Sequence, residues 1–387
     1  MNKVRLGIVG LGNMGSTHAS NILAGKVRGL ELTAVADTDP SKHARASGVK
    51  AFATADEMMA SGLVDAVLIA TPHYDHTTIG IKTLKAGLHL MVEKPISVHR
   101  ADAEKLIAAY EATGKKKPVF AAMFNQRTDR YYQKIRQLIT SGELGEIRRV
   151  NWIITNWFRT ETYYASGGWR ATWEGEGGGV LLNQCPHNLD LFQWFFGMPV
   201  SLRANCAFGK YHNIEVEDDV TAYMEFANGA TGVFITSTGE APGTNRLEIT
   251  GERGRLVYED DKLTYVRNEV PMSEFSQTTD QSFARPATWN INVPADGHGG
   301  QHIEILQNFA DAILLGTPLI APAGEGINSV ELANAMLLSA WTDKAVSLPI
   351  NGRTYERHLR KKIAASKPRA KKKIKGASGD FASSFGR

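Results

Sequence analysis

A short apolar run at residues 4–9 leads directly into Gly10-Leu11-Gly12-Asn13-Met14-Gly15, and the residues after these glycines read as a helix. Further apolar runs at 30–37, 65–70, 89–93 and 119–122 alternate with helix-length amphipathic stretches at 14–24, 76–85 and 101–113. Strand and helix in alternation predict an α/β unit over residues 1–122, a doubly wound parallel sheet of Rossmann type.

In that setting each glycine has a task. Gly10 permits a tight turn, Gly12 lets the backbone approach a pyrophosphate, and Gly15 allows close helix packing, with Asn13 and Met14 opening the helix whose N-terminal N–H groups face the phosphates. Asp37 ends the second strand, 22 residues beyond Gly15, where a carboxylate can accept hydrogen bonds from the adenosine ribose hydroxyls. Asp37 would also repel a 2′-phosphate, and Thr38-Asp39-Pro40 supplies no Arg behind it, so NAD is expected in preference to NADP. The blander reading is a glycine turn with no nucleotide.

Two later strand ends face the same edge. One continues into Thr71-Pro72-His73-Tyr74-Asp75-His76 and the next into Glu93-Lys94-Pro95. Ligands of open parallel sheets lie at the carboxyl ends of the strands. Thr71, Pro72, His76, Glu93 and Lys94 are therefore expected on the cofactor, and Lys94 can also reach an alcohol being oxidised.

After Phe124 the pattern changes. A helix at 128–140 and a strand at 147–157 enter a segment rich in Trp, Tyr and Gly; strand-like runs from 200 to 268 then follow one another, and helices at 301–315 and 327–344 close the fold. The expected second domain, 123–350, is α/β with a large, mostly antiparallel sheet built by consecutive pairing. Residues 353–387 carry twelve Lys or Arg against two acids in a chain of net charge +4, so the body is acidic. The segment 351–387 reads as a basic, flexible tail, and an acidic body argues against a nucleic-acid-binding fold. No run of membrane-spanning length and no cleavable apolar leader appear, and two cysteines, Cys185 and Cys206, cannot build a disulfide framework; a cytoplasmic protein is expected.

Residues 177–190 read Gly-Gly-Gly-Val-Leu-Leu-Asn-Gln-Cys-Pro-His-Asn-Leu-Asp. Together with the glycine loop, Thr71-Pro72 and Glu93-Lys94-Pro95, this stretch resembles the glucose-fructose oxidoreductase and inositol dehydrogenase family, often called Gfo/Idh/MocA, from residue 3 to about 350. The resemblance implies that Lys94 contacts the reacting hydroxyl and the nicotinamide ribose, that the bond to Pro95 is cis, and that His187 is the proton acceptor. The family motif has an Asp supporting that His and a Gly two residues before it. Here those positions are Asn183 and Cys185. Asn183 can hold substrate or imidazole by hydrogen bonds but cannot stabilise an imidazolium by charge. Residues 183, 187 and 190 could share one helical face, or the helix could begin at Pro186 with His187 in its first turn, where the dipole favours the neutral ring.

The segment 152–173 holds four of the seven tryptophans with Phe158, Tyr163, Tyr164, Arg159 and Arg170. Aromatic platforms beside hydrogen-bonding heads suit a polyol, although half of these rings are expected in the core. The resemblance implies that Trp169, Arg170 and Arg127 contact the substrate beside Asn183 and His187. His298 and His302 lack a third ligand, so no metal is expected. The implied function is NAD-dependent oxidation of a secondary alcohol on a sugar, sugar derivative or cyclitol by a homodimer or homotetramer. Alternatives are an NAD-dependent glycoside hydrolase or lyase acting through a transient keto-sugar, and a non-catalytic NAD-responsive binding protein.

Overall fold

The computed structural model describes residues 3–115, 117–166, 168–295 and 297–366. Its first unit runs β1 (Val4–Val9), α1 (Asn13–Leu23), β2 (Leu30–Ala36), β3 (Lys50–Phe52), α2 (Ala55–Ala60), β4 (Ala66–Ile69), α3 (His73–Lys85), β5 (His89–Val92), α4 (Arg100–Glu111) and β6 (Phe120–Ala122). The strands are parallel throughout, in the order β3-β2-β1-β4-β5-β6. All four residues of β4 are buried, because helices cover both faces of a doubly wound sheet. The sequence pattern did not reveal β3 and α2. At three and six residues they are too short for periodicity to register, and α2 is started by a capping box between Thr54 and Glu57.

The second unit runs α5 (Arg130–Thr140), β7 (Ile147–Ile154), α6 (Glu161–Ala165), α7 (Pro186–Phe196), β8 (Ser201–Phe208), β9 (Glu217–Glu225), β10 (Thr231–Ser237), β11 (Asn245–Gly251), β12 (Gly254–Glu259), β13 (Lys262–Asn268), α8 (Met272–Thr278), β14 (Thr288–Val293), α9 (Gln301–Leu315), α10 (Gly326–Thr342), β15 (Val346–Ser347) and α11 (Gly352–Ala364). Nine strands form one sheet, β14-β13-β12-β11-β7-β10-β9-β8-β15. It is mostly antiparallel as expected, but pairing is not consecutive throughout: β10 lies parallel to β7, and β11 takes the other edge of β7. The reason is the connection 238–244, which crosses the end of β7 instead of turning tightly. Thr155 donates its N–H to Thr244 O at 2.7 Å, and at Gly243, with φ +68°, a Cβ would stand 2.3 Å from Thr155 O.

One face of this sheet packs on α5, α7 and α10, burying Trp152, Phe192, Phe234 and Leu337 completely. Each such side chain contributes roughly 1.5–3 kcal/mol by leaving water. The helix α9 packs elsewhere: Ile305, Leu306, Phe309 and Ala310 join the core of the first unit with Leu6 and Ile8. The chain thus returns to the nucleotide-type sheet, where Ala122 N–H donates to Ala321 O at 3.0 Å.

The basic segment expected to be a flexible tail from 351 opens as α11. Asn351 caps it through Thr354 N–H, and Tyr355 and Leu359 are buried against the second core; residues 367–387 lie outside the described residues. An amphipathic helix can carry its Lys and Arg on the wet face while docking the other, which net charge alone does not reveal. Among the described residues, no helix is long and apolar enough to cross a membrane.

Candidate active site

Gly10 follows β1 with φ +90°, and a Cβ there would meet Ala70 O at 2.7 Å, so only glycine lets β1 and β4 diverge at this closeness. At Gly15 a Cβ would stand 1.8 Å from Gly10 O, which is the close packing that a helix entering beneath the turn requires. Around Gly12, by contrast, nothing lies within 4 Å of where a Cβ would be. Gly12 is the N-cap of α1, with no side-chain cap and no acid in the first turn, so the helix presents bare N–H groups there. Asp37 is nearly buried; its Oδ2 accepts Leu11 N–H at 2.7 Å and its Oδ1 accepts Asp39 N–H at 2.9 Å. The strand end therefore fits the adenosine half of NAD, with Gly12 and the α1 N-terminus placed for the pyrophosphate.

Buried Thr71 Oγ1 has no hydrogen-bond partner among the described residues and is suited to a cofactor contact. His76 is placed differently from expectation. Its Nδ1 lies 2.7 Å from Pro95 O and its Nε2 2.9 Å from Thr71 O, so it clamps the two strand-end loops and does not project at a ligand. Glu93 is likewise engaged, 2.7 Å from buried His18 Nε2. Burial alone would raise the Glu93 carboxyl, but the bond to His18 and its charge outweigh it and hold the group at about 2.

The peptide between Lys94 and Pro95 is cis. Lys94 Nζ donates to Asn183 O at 2.8 Å, and burial lowers its pKa against the opposing pull of Glu93 and Glu176. The helix α7 begins at Pro186, so His187 sits in its first turn while Asn183 precedes the helix. His187 is 3% exposed, stands edge-on to Phe124, and among the described residues has no hydrogen-bond partner on either ring nitrogen. Burial, and after it the positive charge of Lys94, hold its pKa well below 6.5, so the ring is neutral. Cys185 is sealed beneath, its Sγ 2.8 Å from Thr236 Oγ1; burial pushes the thiol up to about 12 and rules it out as a nucleophile at neutral pH.

Asn183 belongs to a network that the sequence pattern did not foresee. Its Nδ2 donates to Glu176 Oε1, and its Oδ1 accepts from Tyr163 OH and Gln184 Nε2, each at 3.1 Å. Arg170 Nη1 donates to Tyr163 OH at 3.1 Å, and its guanidinium lies 4.9 Å from the Tyr163 ring and 4.7 Å from that of Trp169. Trp169 also meets His73 edge-on. The structure thus gathers Lys94, Asn183, Trp169 and Arg170, and adds Glu176, Tyr163 and His73. The available signal for Glu176 was its position immediately before the glycine run.

Arg127 is not among them. At 1% exposure it makes a bidentate pair with Asp190 (2.7 and 2.6 Å) and gives Nη1 to Glu325 at 2.6 Å, which leaves it an internal strut and not a substrate contact. The aromatic segment divides as expected, with Trp152 and Trp173 in the core and Trp157 and Trp169 half-buried. His298 bonds Tyr131 OH at 3.0 Å, and among the described residues no group of three or more His, Cys, Asp or Glu is arranged to hold a metal.

Residues 4–121 match the oxidoreductase family with an NAD-binding Rossmann fold, and residues 132–257 match the GFO/IDH/MocA C-terminal domain. Inositol 2-dehydrogenase of Rhizobium meliloti is 24% identical over 358 residues, spanning 89% of this chain and 99% of that protein. Myo-inositol 2-dehydrogenase of Thermotoga maritima is 26% identical over 68% of this chain and 77% of its own. Among solved structures, the WlbA dehydrogenase from Bordetella pertussis, in complex with NADH and UDP-GlcNAcA, superposes with TM-score 0.74 at 25% identity, covering 90% of this chain and 100% of that one. With the glycine cradle, the Lys94-Pro95 turn and His187 in place, these matches over both units make the chain a member of the GFO/IDH/MocA family of NAD-binding oxidoreductases.

Proposed function

We propose that the protein catalyses the reversible, NAD-dependent oxidation of a secondary alcohol on a sugar, sugar derivative or cyclitol. The observation that carries this reading is His187: a neutral, buried imidazole whose two nitrogens lack hydrogen-bond partners among the described residues, within electrostatic reach of Lys94. Leaving a buried polar atom unpaired costs roughly 1–3 kcal/mol, a cost that a substrate hydroxyl removes on binding. Relatives named inositol dehydrogenases and a structural neighbour holding a nucleotide-linked sugar acid point to polyhydroxylated substrates.

Bound NAD supplies the hydride acceptor. The residues that would hold it are Gly10, Gly12, Asn13, Met14 and Gly15 at the phosphates, Asp37 at the ribose, and Thr71, Pro72 and Lys94 toward the nicotinamide. His187 accepts the proton of the substrate hydroxyl. The Lys94 ammonium has three N–H donors and gives one to Asn183 O, so two can orient the reacting oxygen and stabilise its developing negative charge. Trp169 and Tyr163 offer ring faces to the C–H surface of the polyol, and Arg170 a polar rim.

The outer face of the nine-stranded sheet carries Tyr223 opposite Val233 and Ile235 opposite Thr221. Tyr223 is 45% exposed. Association of two or four copies through this face is part of the same reading, and light scattering at graded concentration tests it.

The activity test offers NAD and NADP in turn with inositols, free sugars, glycosides and nucleotide-linked sugar acids, following the nicotinamide absorbance. Reduction of NAD with one of these classes is expected. NAD binding without reduction on any of them, or glycosidic cleavage without net NADH, would overturn the proposal.

A further inference from the structure

The family motif places an Asp four residues before its His, and this chain has Asn183 there. The structure nevertheless holds a carboxylate next to that position. Glu176 is 1% exposed; its Oε1 accepts Asn183 Nδ2 and its Oε2 accepts Ala171 N–H at 2.6 Å. Arg170 Nη1 stands 4.0 Å from it. We propose that Glu176 acts as a positioning residue on Lys94 through Asn183, so that the carboxylate absent from motif position 183 stands one hydrogen bond further out and serves the ammonium instead of the His187 ring.

Two features carry this. The first is directional. Arg170 donates to Tyr163 OH, Tyr163 OH donates to Asn183 Oδ1, and Asn183 Nδ2 donates to Glu176. A rotated amide would set its oxygen against the carboxylate, so Glu176 admits one orientation of Asn183. Asn183 so held presents its main-chain oxygen to Lys94 Nζ.

The second is charge. Two carboxylates favour the Lys94 ammonium, Glu93 and Glu176, while Arg159 and Arg170 oppose it; burial raises the Glu176 carboxyl, and Arg170, the Ala171 N–H, Asn183 and Lys94 pull it back toward the charged form. Glu93 is bound to His18, so Glu176 is the carboxylate on the substrate-domain side of Lys94. The imidazoles that face Lys94 (His73, His187 and His302) have their pKa values lowered chiefly by burial and so add no positive charge at neutral pH, and the Cys185 thiol, held protonated by burial, adds no negative one.

The inference rests on the oxidoreductase reading only where turnover is measured, so the deciding experiment reads Lys94 directly. Trace labelling with acetic anhydride across pH, quantified at Lys94 by mass spectrometry, gives its pKa whether or not a substrate is found. Glu176→Gln keeps the shape and removes the charge; the Lys94 pKa should fall by roughly one unit, the range typical of losing a neighbouring opposite charge. With substrate, the alkaline limb of kcat/KM should move down by the same amount. Glu176→Asp should restore part of the shift. Combining Glu176→Gln with Asn183→Asp, which returns the carboxylate to the family position, should restore more. Should Glu176→Gln fail to fold, Glu176→Asp decides: the retracted carboxylate should lower the Lys94 pKa by a part of that shift. An unchanged Lys94 pKa in Glu176→Gln (or, where that variant does not fold, in Glu176→Asp), or a double variant no better than Glu176→Gln, would overturn the proposal, while NADH binding by fluorescence confirms that each variant retains its cofactor site.

Discussion

Lys94 Nζ donates to the main-chain oxygen of Asn183 at 2.8 Å, a bond that joins the carboxyl end of β5 to the segment entering α7. The cofactor-side strand and the substrate-side motif are therefore connected through the ammonium group proposed to face the reacting oxygen. Because the acceptor is main chain, replacing the Asn183 side chain does not delete it.

Lys94→Ala should lower kcat/KM by about 10²- to 10⁴-fold, the usual worth of a positioned proton-handling or charge-stabilising group, with NADH affinity changed far less. Stopped-flow reduction of NAD and fluorescence titration of NADH separate the two effects. Lys94→Arg should not rescue, because a planar guanidinium cannot replace a compact ammonium in the same space.

His187→Ala should cost a similar factor in kcat. The wild-type acid limb is set by sign: the base must be neutral, and burial holds its pKa well below 6.5. The rate should therefore stay flat as pH falls to 6.5 and decline only well below it. A limb near 6.5 that vanishes in His187→Ala would show a solvated histidine instead.

Gly12→Ala and Gly15→Ala should part company. At Gly12 the added methyl meets no protein atom, so the variant should melt like wild type yet bind NADH at least tenfold more weakly. At Gly15 the methyl would lie 1.8 Å from Gly10 O, and the melting temperature itself should fall. Calorimetry and NADH titration on both variants check the contrast.

Arg127→Ala strands the fully buried Asp190 carboxylate, and breaking such a pair costs about 3–5 kcal/mol. Denaturant unfolding should show that loss. Arg127→Met with Asp190→Leu should recover most of it, since an apolar pair of similar volume avoids the unpaired charge.

Glu217 lies fully buried behind the glycine run, its Oε1 accepting Gly179 N–H at 2.8 Å and Leu181 N–H at 3.1 Å. Burial raises its pKa to about 7, against the usual 4.5. A group whose folded pKa is raised binds its proton more tightly in the native state, so its contribution is complete below 4.5 and is lost as pH rises through 7. Glu217→Gln cannot ionise. Its melting temperature relative to wild type should improve between pH 5.5 and 8.5, and a pH-independent difference would refute this.

The doubly wound sheet, the glycine turn and the Lys94-Pro95 strand end were legible along the chain, because each is set by a local rule: burial on two faces yields unbroken apolar runs, and backbone approach demands glycine at Gly10 and Gly15. The motif 177–190 was legible too, including the departure at Asn183. The reading faltered at His76 and Arg127, where residue type and position suggested ligand contact. What removed them from that role was a pair of carbonyls from two loops in one case, and carboxylates 63 and 198 residues away in the other.

What the sequence determined by itself was the alternation of five of the six strands with three helices in the first unit and the nicotinamide-nucleotide cradle, with His187 and Lys94 marked by the family resemblance as the candidate pair for the chemistry. Only the tertiary structure decided which charges face one another. It brought Glu176 to Asn183, closed Arg127 inside an ion pair, threaded β7 between β10 and β11, and docked α11 on the second core. Periodicity and motif spacing report which surfaces are buried, whereas an ion pair or an unpaired imidazole depends on the three-dimensional approach of groups far apart in the chain.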